Sequence, residues 1–375
     1  MYDLTLSLLV VAVLAALGVA TFVGWMLKRQ TDTGLNPAVI EQFNQRIRAW
    51  WLLCAVLAAA FFFHRWATVL LFFFLSFWAL REFITLTPTR VADHRALFWV
   101  FFFFTPLQYV LVGLNQYGLY SILIPVYAFL FIPARIAVAG DSKRYLERCA
   151  KIQAGLMICV YCLSHAPAVL YLELKPGPSA SARTPPAEQP MTRGGTGSEA
   201  DPRHGSSPDS EVNATAEKRP AGRPRRDPPV LPLRPRQAPE ENARLLFFFL
   251  LVVTMGEGAQ HVSHWLWGKT VIAPAISMQR TWEGLVGGVL GGTALGTGLW
   301  WATSFNPLQA AGLSLATTVM GFAGGMTMSA IKRDRGVKDY GTLVVGHGGV
   351  LDRIDAICFA APVFFHLTRL LIAEY

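Results

Sequence analysis

The sequence predicts an all-α, polytopic integral membrane protein with about ten transmembrane helices, by the usual length of a bilayer-spanning helix. Three observations carry this. Hydrophobic residues make up 53% of the 375 positions, and the mean hydropathy is +0.38, beyond what soluble domains reach. Several apolar runs attain the ~20 residues that a hydrocarbon core requires. Lys and Arg gather at the ends of those runs, so the net charge of +9 reflects topology and anionic headgroups. No basic patch interleaved with aromatics lies on a soluble segment, which excludes nucleic acid as a partner.

The elements follow in order. Residues 3–27 form the first span, closed by Lys28 and Arg29. No basic stretch precedes it, so it reads as a retained helix and not a signal peptide. Arg46 and Arg48 place the next segment in the cytoplasm and the N-terminus outside. Residues 50–80 read as two short helices with an external turn at His64 and Arg65, because one long helix would bury both at bilayer depth. Arg81, Arg90 and Arg95 mark a cytoplasmic loop. Residues 96–114 and 119–139 are the next spans, with Pro106, Pro125 and Pro133 as tolerated kinks. Arg135, Lys143, Arg144, Arg148 and Lys151 return the chain inside, and residues 152–172 cross outward. His165 in that span is expected to be a hydrogen-bonded structural group. Cys159 and Cys162 lack a second pair and are expected to pack.

Residues 175–243 change character. Pro, Gly, Ser, Arg and Glu dominate, and the segment cannot bury enough apolar surface to offset its chain entropy. It reads as a disordered external linker of roughly seventy residues between two membrane regions, 1–174 and 244–375. Asn213-Ala214-Thr215 matches a glycosylation sequon by pattern only.

Residues 245–267 span again but carry Glu257 among glycines. A carboxylate there must face a polar cavity or a cation. A polar loop follows at 272–284. Residues 285–303 and 308–328 are spans rich in Gly, Ala and Thr, which let membrane helices approach closely. A last helix covers 354–372. On this count, the 268–284 loop and the polar stretch 329–355 both face the cytoplasm.

That stretch is the densest cluster of charge, glycine and histidine in the chain. It offers the cations Lys332, Arg333, Arg335, Lys338 and Arg353, the acids Asp334, Asp339, Asp352 and Asp355, and the turn Gly346-His347-Gly348-Gly349. Acids that hold Mg²⁺ beside cations that hold phosphate oxygens suit a metal-bound polyphosphate. Glycines let backbone N–H groups approach an anion. The plain alternative is a basic juxtamembrane loop with a few salt bridges.

The stretch resembles the signature of the phosphatidate cytidylyltransferases (CDP-diacylglycerol synthases). Ser329, Lys332, Arg333, Lys338, Asp339, His347, Gly348, Gly349, Asp352, Arg353 and Asp355 fill its fixed places. The loop before it also resembles the family, through Ser277, Arg280, Thr281, Trp282, Glu283 and Gly284. The resemblance is strong over 245–375 and looser before. It implies a membrane nucleotidyltransferase that joins CTP to phosphatidate and releases pyrophosphate, with Mg²⁺ as cofactor. Asp352, Asp355, Asp339 and Glu257 are the expected metal ligands. Lys332, Arg333, Lys338 and Arg280 are the expected phosphate contacts, His347 a donor, and Arg353 a further catalytic cation. Ser277, Thr281, Trp282, Glu283, Ser329, Gly348 and Gly349 complete the expected substrate site. On its own chemistry Trp282 reads rather as an interfacial anchor.

Two departures stand out. Family members carry Asp where this chain has Gly325, and often Asp where it has Glu257. A paralogue acting on another lipid phosphate, or binding without turnover, therefore stands beside phosphatidate cytidylyl transfer. A small-molecule transporter, which Glu257 and His165 would suit, is the third reading. The expected partners are CTP, phosphatidate or a related lipid phosphate, and membrane lipids; a homodimer is compatible. The expected location is a bacterial inner (plasma) membrane with the active loops in the cytoplasm.

Overall fold

The computed structural model describes residues 65–86, 89–173, 239–337, 340 and 349–372, with a few isolated positions between 18 and 29. The first span, the helix expected before Arg65, most of the linker, and Lys338, Asp339, His347 and Gly348 lie outside the described residues.

The protein is an all-α integral membrane protein. Six described helices are long and apolar enough to cross a bilayer. They are α1 (Arg65–Thr85), α2 (Val91–Gly113), α3 (Tyr117–Ala137), α4 (Tyr145–Tyr171), α5 (Pro239–Trp267) and α8 (Leu351–Ile372). Two more helices, α6 (Trp282–Gly298) and α7 (Pro307–Asp334), lie where the sequence predicts small-residue spans. Of the roughly ten spans expected, eight are present among the described residues, and the two expected before Arg65 lie outside them. The loop after α5 is not irregular: Val271–Ala273 (β1) and Ser277–Thr281 (β2) pair as an antiparallel hairpin. The turn between them holds Pro274, which cannot donate to a ladder.

Helices α2, α3 and α4 each contain one π-helical stretch, at Val100–Phe104, Leu123–Ala128 and Met157–Cys162. Such stretches widen a helix by one residue per turn. The second includes Pro125, whose missing N–H a regular α-helix would otherwise leave as a gap.

Helix α6 packs through glycines four residues apart. Gly284, Gly288, Gly292 and Gly296 are all buried. A methyl at Gly292 would overlap Thr318 of α7, and one at Gly288 would come within 2.8 Å of Gln260 Cβ on α5. Without a hydrophobic driving force between helices in lipid, this closeness supplies the packing energy. On α7, Gly324 rests against the carbonyl of Asp355 and the ring of Phe359 on α8.

Contacts sort the loops into two ends. At one end, Arg148 donates to Asp93 (2.6 and 2.9 Å) and to the carbonyls of Asp141 and Lys143, while Arg90 pairs with Asp141. The polar stretch joins this end through Glu82 near the end of α1, which accepts from the Val350 and Leu351 N–H groups, and Arg333 Nε ties the hairpin to it by donating to the Ile276 carbonyl (3.1 Å). At the other end, Asn242 of α5 donates to the carbonyls of Leu170 and Leu172 (both 2.9 Å). This caps the C-terminus of α4, whose last carbonyls have no partner within the helix. The described structure around the linker therefore begins earlier than the sequence suggests, with α5 starting at Pro239.

His165 is wholly buried. Its Nδ1 bonds the Tyr161 carbonyl (2.8 Å), and Tyr161, Phe365 and His366 surround the ring. The buried Cys159 and the half-buried Cys162 are free thiols.

Candidate active site

The site forms where the hairpin, the end of α7 and the start of α8 meet. Helix α7 ends in Lys332, Arg333 and Asp334. Cations suit this position, because the helix C-terminus is its negative pole. Lys332 Nζ pairs with Asp352 Oδ1 (2.9 Å). The other oxygen of Asp352 accepts from the Tyr340 N–H (2.8 Å) and the Gly349 N–H (3.0 Å). Asp352 therefore ties Tyr340 and Gly349 to the start of α8, and three of its roughly four acceptor places are in use.

Asp355 sits one turn further on, with only 8% of its surface exposed. It accepts from the Ala356 N–H (2.8 Å) and lies in the fields of Arg280 and Lys332 on one side and of Asp352 on the other. The two carboxylates lie one helical turn apart but are not equivalent: one is tied into the fold, and the other lies in the field of the buried Arg280.

Arg280, at the end of β2, is also 8% exposed. Its Nη1 donates to Gln260 Oε1 of α5 (2.6 Å), and its guanidinium lies over the Phe322 ring, 5.4 Å from the centroid. The guanidinium occupies the space beside Gly325. A Cβ there would overlap Nη2 and stand 2.8 Å from Cζ.

The remaining expected residues fall as follows. Thr281 caps α6: its hydroxyl accepts from the Gly284 N–H (3.1 Å) and faces His264 Nδ1 at 3.3 Å. Glu283, in the first turn of α6, accepts from the Thr270 N–H (3.2 Å), which ties the hairpin to the helix. Its own N–H first, and then Thr270, hold the Glu283 carboxyl down at about 2. A carboxyl depressed in the folded state stabilises at neutral pH, and this contribution is lost only as the pH falls from the ordinary carboxylate value towards 2. Trp282 is 53% exposed, as an interfacial anchor would be. Ser277 lies on β2 opposite Ala273. Ser329 donates to the Gly325 carbonyl (2.7 Å), so its hydroxyl is spent within α7. Arg353 lies on the exposed side of the first turn of α8. The Gly349 N–H, expected to approach phosphate, is engaged by Asp352.

Glu257 lies apart from the carboxylate pair. With Gln260, Gly256, Gly288, Thr318 and Phe322 it lines a cavity of about 10 Å³ between α5, α6 and α7, room for about one water molecule. The buried Gln260 Nε2 has no hydrogen-bond partner in the described structure. Among the described residues, no group of three or more His, Cys, Asp or Glu converges closely enough to hold a metal ion.

Two residues escaped the sequence reading. Tyr340 stacks on Phe83 of α1 (6.5 Å between centroids) and donates from its hydroxyl to the Met328 carbonyl (2.8 Å). Glu82 of α1 accepts from the backbone N–H groups of Val350 and Leu351 (3.0 and 2.9 Å). An acid amid an apolar run in the N-terminal half was the one available signal.

The Cytidylyltransferase family model matches residues 44–371. The chain is 30% identical over 332 residues to the uncharacterized protein YnbB of Escherichia coli (strain K12), covering 86% of each. It is 39% identical over 127 residues to a phosphatidate cytidylyltransferase of Haemophilus influenzae, covering 32% of this chain and 43% of that protein. A phosphatidate cytidylyltransferase of Synechocystis sp. matches at 38% over 117 residues, 31% of this chain and 39% of that protein. The chain thus matches less than half the length of these two enzymes, and the full-length likeness is to the E. coli protein and the family model. On that match across nearly all of the chain, it belongs to the cytidylyltransferase family.

Proposed function

We propose that the protein transfers a cytidylyl group from CTP to phosphatidate, with the site on the cytoplasmic face of a bacterial inner membrane. The observation that carries this reading is the convergence of Arg280, Lys332, Asp352 and Asp355 at one end of the helices. The resemblance to phosphatidate cytidylyltransferases over this region supports the substrate. In the proposed reaction an oxygen of the lipid phosphate attacks the α-phosphorus of CTP in line. The bond from that phosphorus to the β-phosphate oxygen breaks, and pyrophosphate leaves with the electron pair. The nucleophile is already anionic, so the protein's task is to bring two anions together and offset their charge.

Arg280 is suited to the buried part of that task. Its guanidinium is fixed by Gln260 and costs no reorganisation when charge develops nearby. Lys332 spends one of its three N–H donors on Asp352 and keeps two for a phosphate. The residues fit Mg²⁺ at Asp355, a buried oxygen donor needing counter-charge. Mg²⁺ commonly takes one or two carboxylates and completes its shell with phosphate oxygens and water. When bound, the ion would neutralise and orient the triphosphate.

A specific observation favours a second reading, a paralogue for another lipid phosphate. Arg280 fills the space beside Gly325 where the resemblance leads one to expect an acid. One experiment addresses both readings: pyrophosphate release by the purified protein in detergent, with CTP and a panel of lipid phosphates. Release with phosphatidate above the others supports the first reading, and a different preferred lipid the second. No release with any lipid phosphate, from protein that remains folded, overturns both.

A further inference from the structure

We propose that Glu82 is a positioning residue for the acidic start of α8, so that the N-terminal helices contribute directly to the geometry of the site. This rests on the reading of Asp352 and Asp355 as part of a transferase site. Glu82 lies near the end of α1, 5% exposed, inside a helix of spanning length. A carboxylate at such a place is costly unless its oxygens are fully engaged. Here they are. Oε1 accepts from the Val350 N–H (3.0 Å) and from Trp78 Nε1 (3.2 Å), and Oε2 accepts from the Leu351 N–H (2.9 Å).

Val350 and Leu351 open α8, where the first N–H groups have no intrahelical partner and the helix is at its positive pole. Glu82 thus acts as a cap supplied by another helix. The fit is tight: a Cβ at Gly349 would stand 2.8 Å from Glu82 Cδ and overlap Oε2. Any larger residue there would push the carboxylate out of place. Two acids divide the donors between them. Asp352 takes the N–H groups of Gly349 and Tyr340, and Glu82 takes the next two. Together they fix where α8 begins, and hence where Asp355, one turn on, points. Ring stacking of the adjacent Phe83 on Tyr340 holds the same junction from the side.

Glu82→Gln tests this at constant volume. Its single oxygen keeps one N–H, and its amide turns a donor towards the other. Glu82→Asp keeps the charge but draws it back. Two readouts are needed. Hydrogen exchange by mass spectrometry over the start of α8 requires no activity: exchange should rise at least tenfold in Glu82→Gln and less in Glu82→Asp. In CTP-dependent pyrophosphate release, kcat should fall about tenfold or more in Glu82→Gln, with KM for CTP within about threefold and partial recovery in Glu82→Asp. Exchange unchanged from the parent overturns the proposal. So does raised exchange with full kcat, which would make Glu82 a cap without bearing on the site. If the parent itself releases no pyrophosphate with any lipid phosphate, the proposed function has failed. The positioning claim then stands or falls on the exchange alone.

Discussion

The guanidinium of Arg280 occupies the space that a side chain at Gly325 would need. The two residues lie far apart in sequence, on β2 and α7, and neither position is intelligible without the other. Gly325 leaves a gap on a buried helix face, and Arg280 fills it, held by Gln260 and lying over Phe322. The cation that fills the gap also extends its field to Asp355.

Gly325→Asp should therefore lower activity. The new carboxylate would displace the guanidinium or pair with it, and in either case would weaken its field at Asp355. We expect kcat/KM for CTP to fall about tenfold or more, equivalent to ~1.4 kcal/mol of barrier. Gly325→Ala, which displaces without adding charge, should also lower it. A rise in activity with Gly325→Asp would show that the chain had merely lost an acid, and that Arg280 is incidental.

Asp355 and Asp352 should separate by mechanism. Asp355→Asn removes the charge that faces Arg280 and should reduce transfer about 100-fold or more, the usual scale for a group that stabilises transition-state charge. It should leave the protein folded and flatten the dependence on Mg²⁺. Asp352→Asn breaks the pair with Lys332 and weakens two backbone hydrogen bonds, so it should mainly lower thermal stability in detergent, by ~1.5–3 kcal/mol. Asp334→Asn, at an exposed position beside Arg335, should change neither. Near-full turnover of Asp355→Asn with unaltered Mg²⁺ dependence would remove Asp355 from the mechanism.

The segment between α4 and α5 should be dispensable for catalysis. Its flanks are joined by Asn242, which bonds the carbonyls of both Leu170 and Leu172, so a short connection can close them. Replacing residues 178–236 with a brief Gly/Ser linker should leave specific activity in membranes within about tenfold. Asn242→Ala should reduce thermal stability by ~1–3 kcal/mol, the cost of leaving buried backbone carbonyls unpartnered. Loss of activity on replacing the segment, at normal expression, would assign it a part in the site.

Orientation can be read from thiol labelling. In a cysteine-free background, an impermeant reagent added to intact cells should label Ser206→Cys and spare Ser277→Cys. The opposite pattern would place the hairpin and the start of α8 outside, away from CTP.

The order of the described spans and the positions of the two polar loops between them were legible in the sequence. Length, apolarity and the placement of Lys and Arg are local properties, and the bilayer enforces them segment by segment. The motif spacing was legible for a related reason. Residues three apart on one helix turn share a side, so Asp352 and Asp355 had to lie close. The sequence could not show how each acid is used. Asp352 is tied to Lys332, Tyr340 and Gly349, while Asp355 lies in the field of Arg280, and that difference depends on which helix ends meet. The cap on α8 was hidden for the same reason. Glu82 sits in an apolar run of the N-terminal half, and it acquires its role only when α1 brings it to Val350 and Leu351. The hairpin, too, escaped a reading built on apolar periodicity, because β1 and β2 are short and lie in a polar loop. Local chemistry decided which residues could serve the site. Contacts between helices far apart in the chain decided which of them hold it in place.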